Sequence, residues 1–125
     1  MSSDSVQLCL SRKTGEMLHR LRANRPLVHC ITNEVVQEFT ANVLLAAGAS
    51  PAMVVGEGEA EYFAGIASAL SVNVGTPYEA RIETMKKAIR GAAAAGKPWV
   101  LDPVAAGGIP WRDKIIFKLL EMHPT

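Results

Sequence analysis

The sequence predicts an α/β fold with a mostly parallel sheet, on three observations. Short apolar runs of strand length alternate along the chain with longer segments whose apolar residues recur at helical spacing. Capping residues, glycines and prolines separate these segments at the places where helices start and stop. The chain has 125 residues and is 49% hydrophobic and 20% charged, enough for a single domain spanning 1–125 with its own core. Strands that alternate with helices pair in parallel, with right-handed crossovers.

Each element can be justified in turn. Val6, Cys9, Leu10, Met17, Leu18 and Leu21 recur at helical spacing, so residues 4–23 read as an amphipathic helix. A buried strand follows at 27–31, then the polar turn Thr32-Asn33 and a helix over 34–47, with Asn33 placed as its N-cap. Gly48 stops that helix, and a second strand covers 52–55. A short helix runs over 59–68 and a third strand over 70–74. The next helix has the best-marked start: Thr76 as N-cap, Pro77 at the first helical position and Glu79 completing a capping box. Gly96 ends it and Pro98 prevents its continuation. A fourth strand at 99–101 runs into the glycine- and proline-rich loop DPVAAGGIP, and a last helix covers 111–122. The total is about four strands and five helices.

Composition excludes several classes of function. A net charge of +1 and a pI near 7.8 lack the basic face of a nucleic-acid-binding protein. Lys86, Lys87 and Arg90, and Arg112, Lys114 and Lys118, fall on helical segments and read as solvated faces. No apolar run approaches the roughly 18 residues of a membrane span, and the first residues, Met-Ser-Ser-Asp, carry no signal-type apolar region. Cys9 and Cys30 lie far apart in different elements, which indicates no disulfide framework and a reducing cytoplasm.

Some patterns imitate sites without their context. Gly91-Ala-Ala-Ala-Ala-Gly96-Lys97 starts like a phosphate-binding loop, but it ends a helix, and Pro98 stands where a magnesium-holding Ser or Thr belongs. A helix C-terminus also has the wrong dipole sign for phosphate. Gly56-Glu57-Gly58-Glu59-Ala60-Glu61 begins like a dinucleotide fingerprint but lacks its third glycine and would set three carboxylates against a pyrophosphate. His29 and Cys30 are neighbours on a strand and point to opposite faces. His19 and His123 have no partners at ligand spacing, so zinc is not indicated.

The remaining polar residues share one edge of the expected sheet, and ligands of open α/β sheets bind outside the carboxyl ends of the strands. Asn33 follows the first strand, Met53 lies in the second, Gly75-Thr76 closes the third and Asp102 closes the fourth. Each also has a purely structural alternative: Asn33 as helix cap, Met53 as core filler, Gly75-Thr76 as a simple turn. Asp102 follows an apolar strand directly and precedes Pro103. It suits a magnesium ion carrying nucleotide phosphates, or else caps nearby amides.

Together PLVHCITN, FTAN followed by LLAAGASPAM, NVGT and KPWVLDPV resemble the hydroxyethylthiazole kinases of thiamine salvage, densely from Pro26 to about Pro110. The resemblance implies a three-layer ribokinase-like α/β fold, of which this chain is an N-terminal portion. It implies phosphoryl transfer from ATP, with Mg2+, to the hydroxyl of 4-methyl-5-(2-hydroxyethyl)thiazole. It makes Met53 the thiazole-contacting methionine, puts Asn33 and Val35 in the lining of the same pocket, and sets Asp102 near the metal and phosphates. It also implies a homotrimer with pockets between subunits. One departure is DPVAAGG where the family more often has DPVGxGA. Family members continue beyond Thr125 into an IRGNASE-like stretch and a glycine-rich anion hole, so the resemblance places no catalytic residue in this chain. The alternatives are a non-catalytic module that keeps the pocket and oligomer face, or another ribokinase-like small-molecule kinase.

Overall fold

A computed structural model describes residues 3–125. Its elements are α1 (Ser3–Asn24), β1 (Leu27–Ile31), a 3-10 turn (Glu34–Val36), α2 (Gln37–Ala47), β2 (Ser50–Ala52), α3 (Ala60–Ile66), β3 (Ala69–Asn73), α4 (Glu79–Ala94), β4 (Trp99–Asp102) and α5 (Pro110–Leu120). The four strands form one sheet in the order β2-β1-β3-β4, and every pairing is parallel. The expected α/β class and element order are therefore observed.

Register divides the sheet into two faces. His29 pairs with Leu70 and Ile31 with Val72, and across the next pair Leu70 meets Trp99 and Val72 meets Leu101. Side chains alternate along a strand, so these residues share one face. Ile31, Leu70, Val72 and Trp99 pack with Ala64 of α3, Met85 and Ile89 of α4, and Ile116 and Leu119 of α5 into a single buried cluster, with Leu101 partly buried against it. The other face carries Cys30, Ser71 and Val100. The step from β1 to β2 runs opposite in direction to those from β2 to β3 and β3 to β4. Right-handed crossovers therefore put α2 across the sheet from α3 and α4. α1 lies beside α2, where the Arg22 Nε donates to the Ala47 carbonyl at 3.4 Å.

Three sequence expectations need correction. β2 is Ser50–Ala52 rather than 52–55, so Met53 lies just past the strand and not in it. Just beyond the strand, the Val54 carbonyl accepts a hydrogen bond from the His29 ring at 2.7 Å. The capping box at Thr76 does not form. α4 begins at Glu79 after an extended Tyr78, with no side-chain cap, because the Thr76 hydroxyl is used elsewhere. α1 forms as a helix, but Val6, Leu10, Met17 and Leu18 remain exposed, so its apolar stripe is not buried among the described residues. Gly48 ends α2 as expected: its N–H donates to the Leu44 and Leu45 carbonyls at 3.1 and 3.0 Å.

Small residues bring α3 and α4 together. Ala60 and Ala64 of α3 are fully buried with Ala88 and Ala92 of α4. A side-chain carbon on Gly91 would collide with the backbone carbonyl of Glu61. The glycine that imitates the start of a phosphate loop is thus a helix-packing residue. Gly91→Ala should destabilise the fold by about 1–3 kcal/mol, the scale of forced overpacking. Gly65→Ala, whose nearest neighbour would sit at 3.6 Å, should be neutral or slightly stabilising through helix propensity. Thermal melts of the two variants check the contrast.

Candidate functional site

The carboxyl edge of the sheet is organised by side chains at the ends of three strands. Asn33 leaves β1, Asn73 ends β3 and Asp102 ends β4. The Asn33 Nδ2 donates to the Asn73 Oδ1 at 2.9 Å, and the Asn73 Nδ2 donates to the Asp102 Oδ2 at 2.7 Å. The Asn73 Oδ1 also accepts the Gly75 N–H at 2.8 Å. At the other end, the Asn33 Oδ1 accepts the Val35 and Val36 N–H groups at 3.1 and 3.2 Å. Backbone donors fix both amide oxygens, so each amide has one consistent orientation. Gly75 is required for this closeness: a side-chain carbon there would lie 2.7 Å from the Asn33 Nδ2.

The Thr76 hydroxyl accepts the Glu34 N–H at 3.0 Å, tying the turn after β1 to the turn after β3. The backbone N–H groups of Glu34, Val35, Val36 and Gly75 are therefore all taken by side-chain acceptors. They do not form a vacant cradle for phosphate. Asp102 is exposed, and among the described residues its Oδ1 makes no hydrogen bond. A single carboxylate oxygen open to solvent suits a magnesium ion that keeps waters and substrate phosphates as its other ligands. The described residues contain no group of three or more His, Cys, Asp or Glu that could hold a metal by itself.

Asn33, Gly75, Thr76 and Asp102 are thus brought together. Met53 and Val35 are not bonded into this array through their side chains. Met53 is half-buried beyond the last β1–β2 pair, His29 with Ala52, and Val35 is 84% exposed. Sequence reasoning did not single out Asn73, the central member of the array. Its signal was the alternation in Leu70-Ser-Val-Asn-Val74, which puts Ser71 and Asn73 together on the face opposite the core. Arg81, a buried arginine beside the turn, was also missed.

The buried ionisable groups are not poised as nucleophiles. Burial pushes the Cys30 thiol up to about 11, which keeps it protonated at neutral pH. His29 is fully buried, packs edge-on against Phe63 with ring centroids 5.1 Å apart, and holds the Val54 carbonyl. Among the described residues its Nδ1 has no partner. Burial lowers its pKa below 6.5 despite the opposing effects of the Val54 carbonyl and Glu59.

The architecture is that of an open parallel α/β protein with a polar array along the carboxyl edge of its strands. The hydroxyethylthiazole kinase family model matches residues 18–125, and the chain belongs to that family. It is 58% identical over 111 residues to a hydroxyethylthiazole kinase of Klebsiella pneumoniae, covering 89% of this chain and 43% of that protein. It is 49% identical over 120 residues to one of Escherichia coli O81, covering 96% and 46% respectively. The solved structure of a hydroxyethylthiazole kinase protein from Pyrococcus horikoshii OT3 superposes with a TM-score of 0.84 at 45% identity, covering 87% of this chain and 43% of that one. The chain therefore spans less than half the length of the curated relatives it matches.

A neutral histidine held below its ordinary pKa has a pH signature. Below about 6.5 the unfolded chain takes up a proton that the folded chain refuses. Stability should therefore fall as the pH drops from 6.5 towards the depressed folded value, and level off below it. Melting temperatures across pH 8 to 5 test this, and His29→Gln should flatten the dependence.

Proposed function

We propose that this chain is the alcohol-binding portion of a kinase that transfers phosphate from ATP to the hydroxyl of 4-methyl-5-(2-hydroxyethyl)thiazole. The observation that carries this reading is the bonded array Asn33–Asn73–Asp102, on a chain of the hydroxyethylthiazole kinase family. It offers polar groups for an alcohol and, at one end, an open carboxylate for a cation. In this reading Met53 packs on the thiazole ring, and Asn33 and Val35 line the same pocket. The Asp102 Oδ1 is the ligand for Mg2+, and the ion, when bound, would neutralise charge on the ATP phosphates. The amides at this edge are already engaged by side chains, which supports a reading in which other parts of the full-length protein cradle and activate the transferred phosphate.

A homotrimer with pockets between subunits fits the exposed apolar residues Val35, Phe39 and Val43, spaced by four and leading away from the site. A second subunit over that stripe would cover Val35 and complete the pocket wall. Among the described residues no helix is long and apolar enough to cross a membrane, and both cysteines are free. Both points fit an enzyme of the cytoplasm.

The test compares two proteins. A full-length protein carrying this chain should phosphorylate the thiazole alcohol with ATP and magnesium, and the 125-residue chain alone should not. Turnover by the short chain, or none by the full-length protein, overturns the reading.

Two substitutions should separate the roles in the full-length protein. Asp102→Asn should lower kcat by roughly tenfold to a thousandfold with little effect on thiazole binding, as for other single electrostatic contacts. Met53→Ala should weaken thiazole binding by about 1–3 kcal/mol, the scale of burying one such side chain. The half-buried Met53 should cost less stability than the ~2–5 kcal/mol of a core truncation. Steady-state kinetics with calorimetric binding, and melts of both variants, check these outcomes.

A further inference from the structure

Arg81 occupies a position that ordinary helix chemistry disfavours. It is the third residue of α4, in the first turn, where the helix dipole favours negative charge. Its side chain is also buried, at 5% exposure, although an apolar residue would fill the space without desolvating a charge. The compensation lies in what the guanidinium holds. Nη1 donates to the Thr32 carbonyl at 2.9 Å and Nη2 to the Glu34 Oε1 at 3.2 Å, while the Tyr78 ring lies 5.3 Å from the guanidinium carbon. Among the described residues Nε has no partner, so the two terminal nitrogens carry the interaction. Thr32 and Glu34 flank Asn33 in sequence. Arg81 therefore grips the turn on both sides of the residue whose amide reaches Asn73 and caps Val35 and Val36.

We propose that Arg81 is the positioning residue of the alcohol pocket: it holds the Thr32–Glu34 turn to the start of α4 and so aims Asn33 and Val35. The proposal rests on the reading of this edge as the thiazole-alcohol site. Its geometry requires a fork. A lysine ammonium is a point charge on a flexible stem and cannot reproduce the paired donors that span a carbonyl and a carboxylate. The Thr76–Glu34 bond and the Asn33–Asn73 bond limit how far the turn moves when the fork is lost. The effect should therefore fall on pocket geometry more than on the fold.

The test uses Arg81→Lys and Glu34→Gln in the full-length protein, with amide exchange at Val35 and Val36 as a readout independent of activity. Arg81→Lys should raise the KM for the thiazole alcohol about tenfold, the scale of one charge-assisted hydrogen bond. The KM for ATP should stay unchanged, and the Val35 and Val36 amides should exchange faster. Glu34→Gln should show the same signature more weakly, and it decides the matter should Arg81→Lys not fold. A lowered melting temperature with wild-type alcohol KM and wild-type exchange overturns the proposal, as does an equal rise in both KM values. If the unsubstituted protein does not phosphorylate the alcohol, the functional reading fails by itself. The exchange measurement then still decides whether Arg81 positions the turn.

Discussion

Asn73 makes hydrogen bonds to three partners that come from different parts of the chain, and the geometry of the strand edge depends on it. Its amide reaches Asn33 beyond β1, Asp102 at the end of β4 and the backbone of Gly75. Strands β1, β3 and β4 thereby end level with one another, fastened by side chains where the backbone ladder stops. An amide suits this place because it donates and accepts at once. A carboxylate in its position would face the Asp102 carboxylate, and an apolar residue would leave Asn33 without its partner. The turn after β1 is then held from a second direction by Thr76 and from a third by Arg81. The edge is thus held together by side chains, with the Asp102 Oδ1 and the second amide proton of Asn33 and of Asn73 unused in the array.

Beneath that edge the two faces of the sheet are unequal. Against α3, α4 and α5 the packing is closed: Leu70, Val72, Met85, Ile89 and Leu119 are all essentially fully buried. Alanines and Gly91 let α3 and α4 approach until the backbone at Gly91 lies against the Glu61 backbone carbonyl. On the other face β1 is protected, with Cys30 buried, while β4 is not. The His29 ring bonds across to Val54, two residues past the end of β2, and Met53 between them is half-buried.

Much of this was legible in the sequence because it followed from periodicity and stop residues. The β1 limits, the end of α2 at Gly48 and the parallel order all obey local rules. Asn33 caps the 3-10 turn Glu34–Val36 and not the expected helix over 34–47, since α2 starts only at Gln37 without a side-chain cap. What could not be read depended on contacts between distant segments. Thr76 has the sequence of a helix cap, but its hydroxyl is claimed by Glu34, 42 residues earlier in the chain. The segment after Met53 is held by a histidine 25 positions away from the carbonyl it binds. Gly91 resembles part of a phosphate loop until its neighbour Glu61 is known. Asn73 carried a visible alternation signal, yet its partners Asn33 and Asp102 are identified only by the sheet order. Local chemistry named most members of the edge; topology decided which of them touch.

The open side of β4 has a thermodynamic consequence. Val100 pairs in register with Ser71 in a parallel sheet, a setting in which both faces are ordinarily covered. It nevertheless remains 55% exposed. Apolar surface already wet in the folded state adds nothing to the heat capacity when the chain unfolds. The heat-capacity increment of this chain should therefore lie below the ~12–15 cal/mol/K per residue of ordinary globular proteins, and its stability curve should be correspondingly flat. A partner or further segment laid over Val100 would steepen that curve, so its curvature is a calorimetric measure of how much of the sheet is covered.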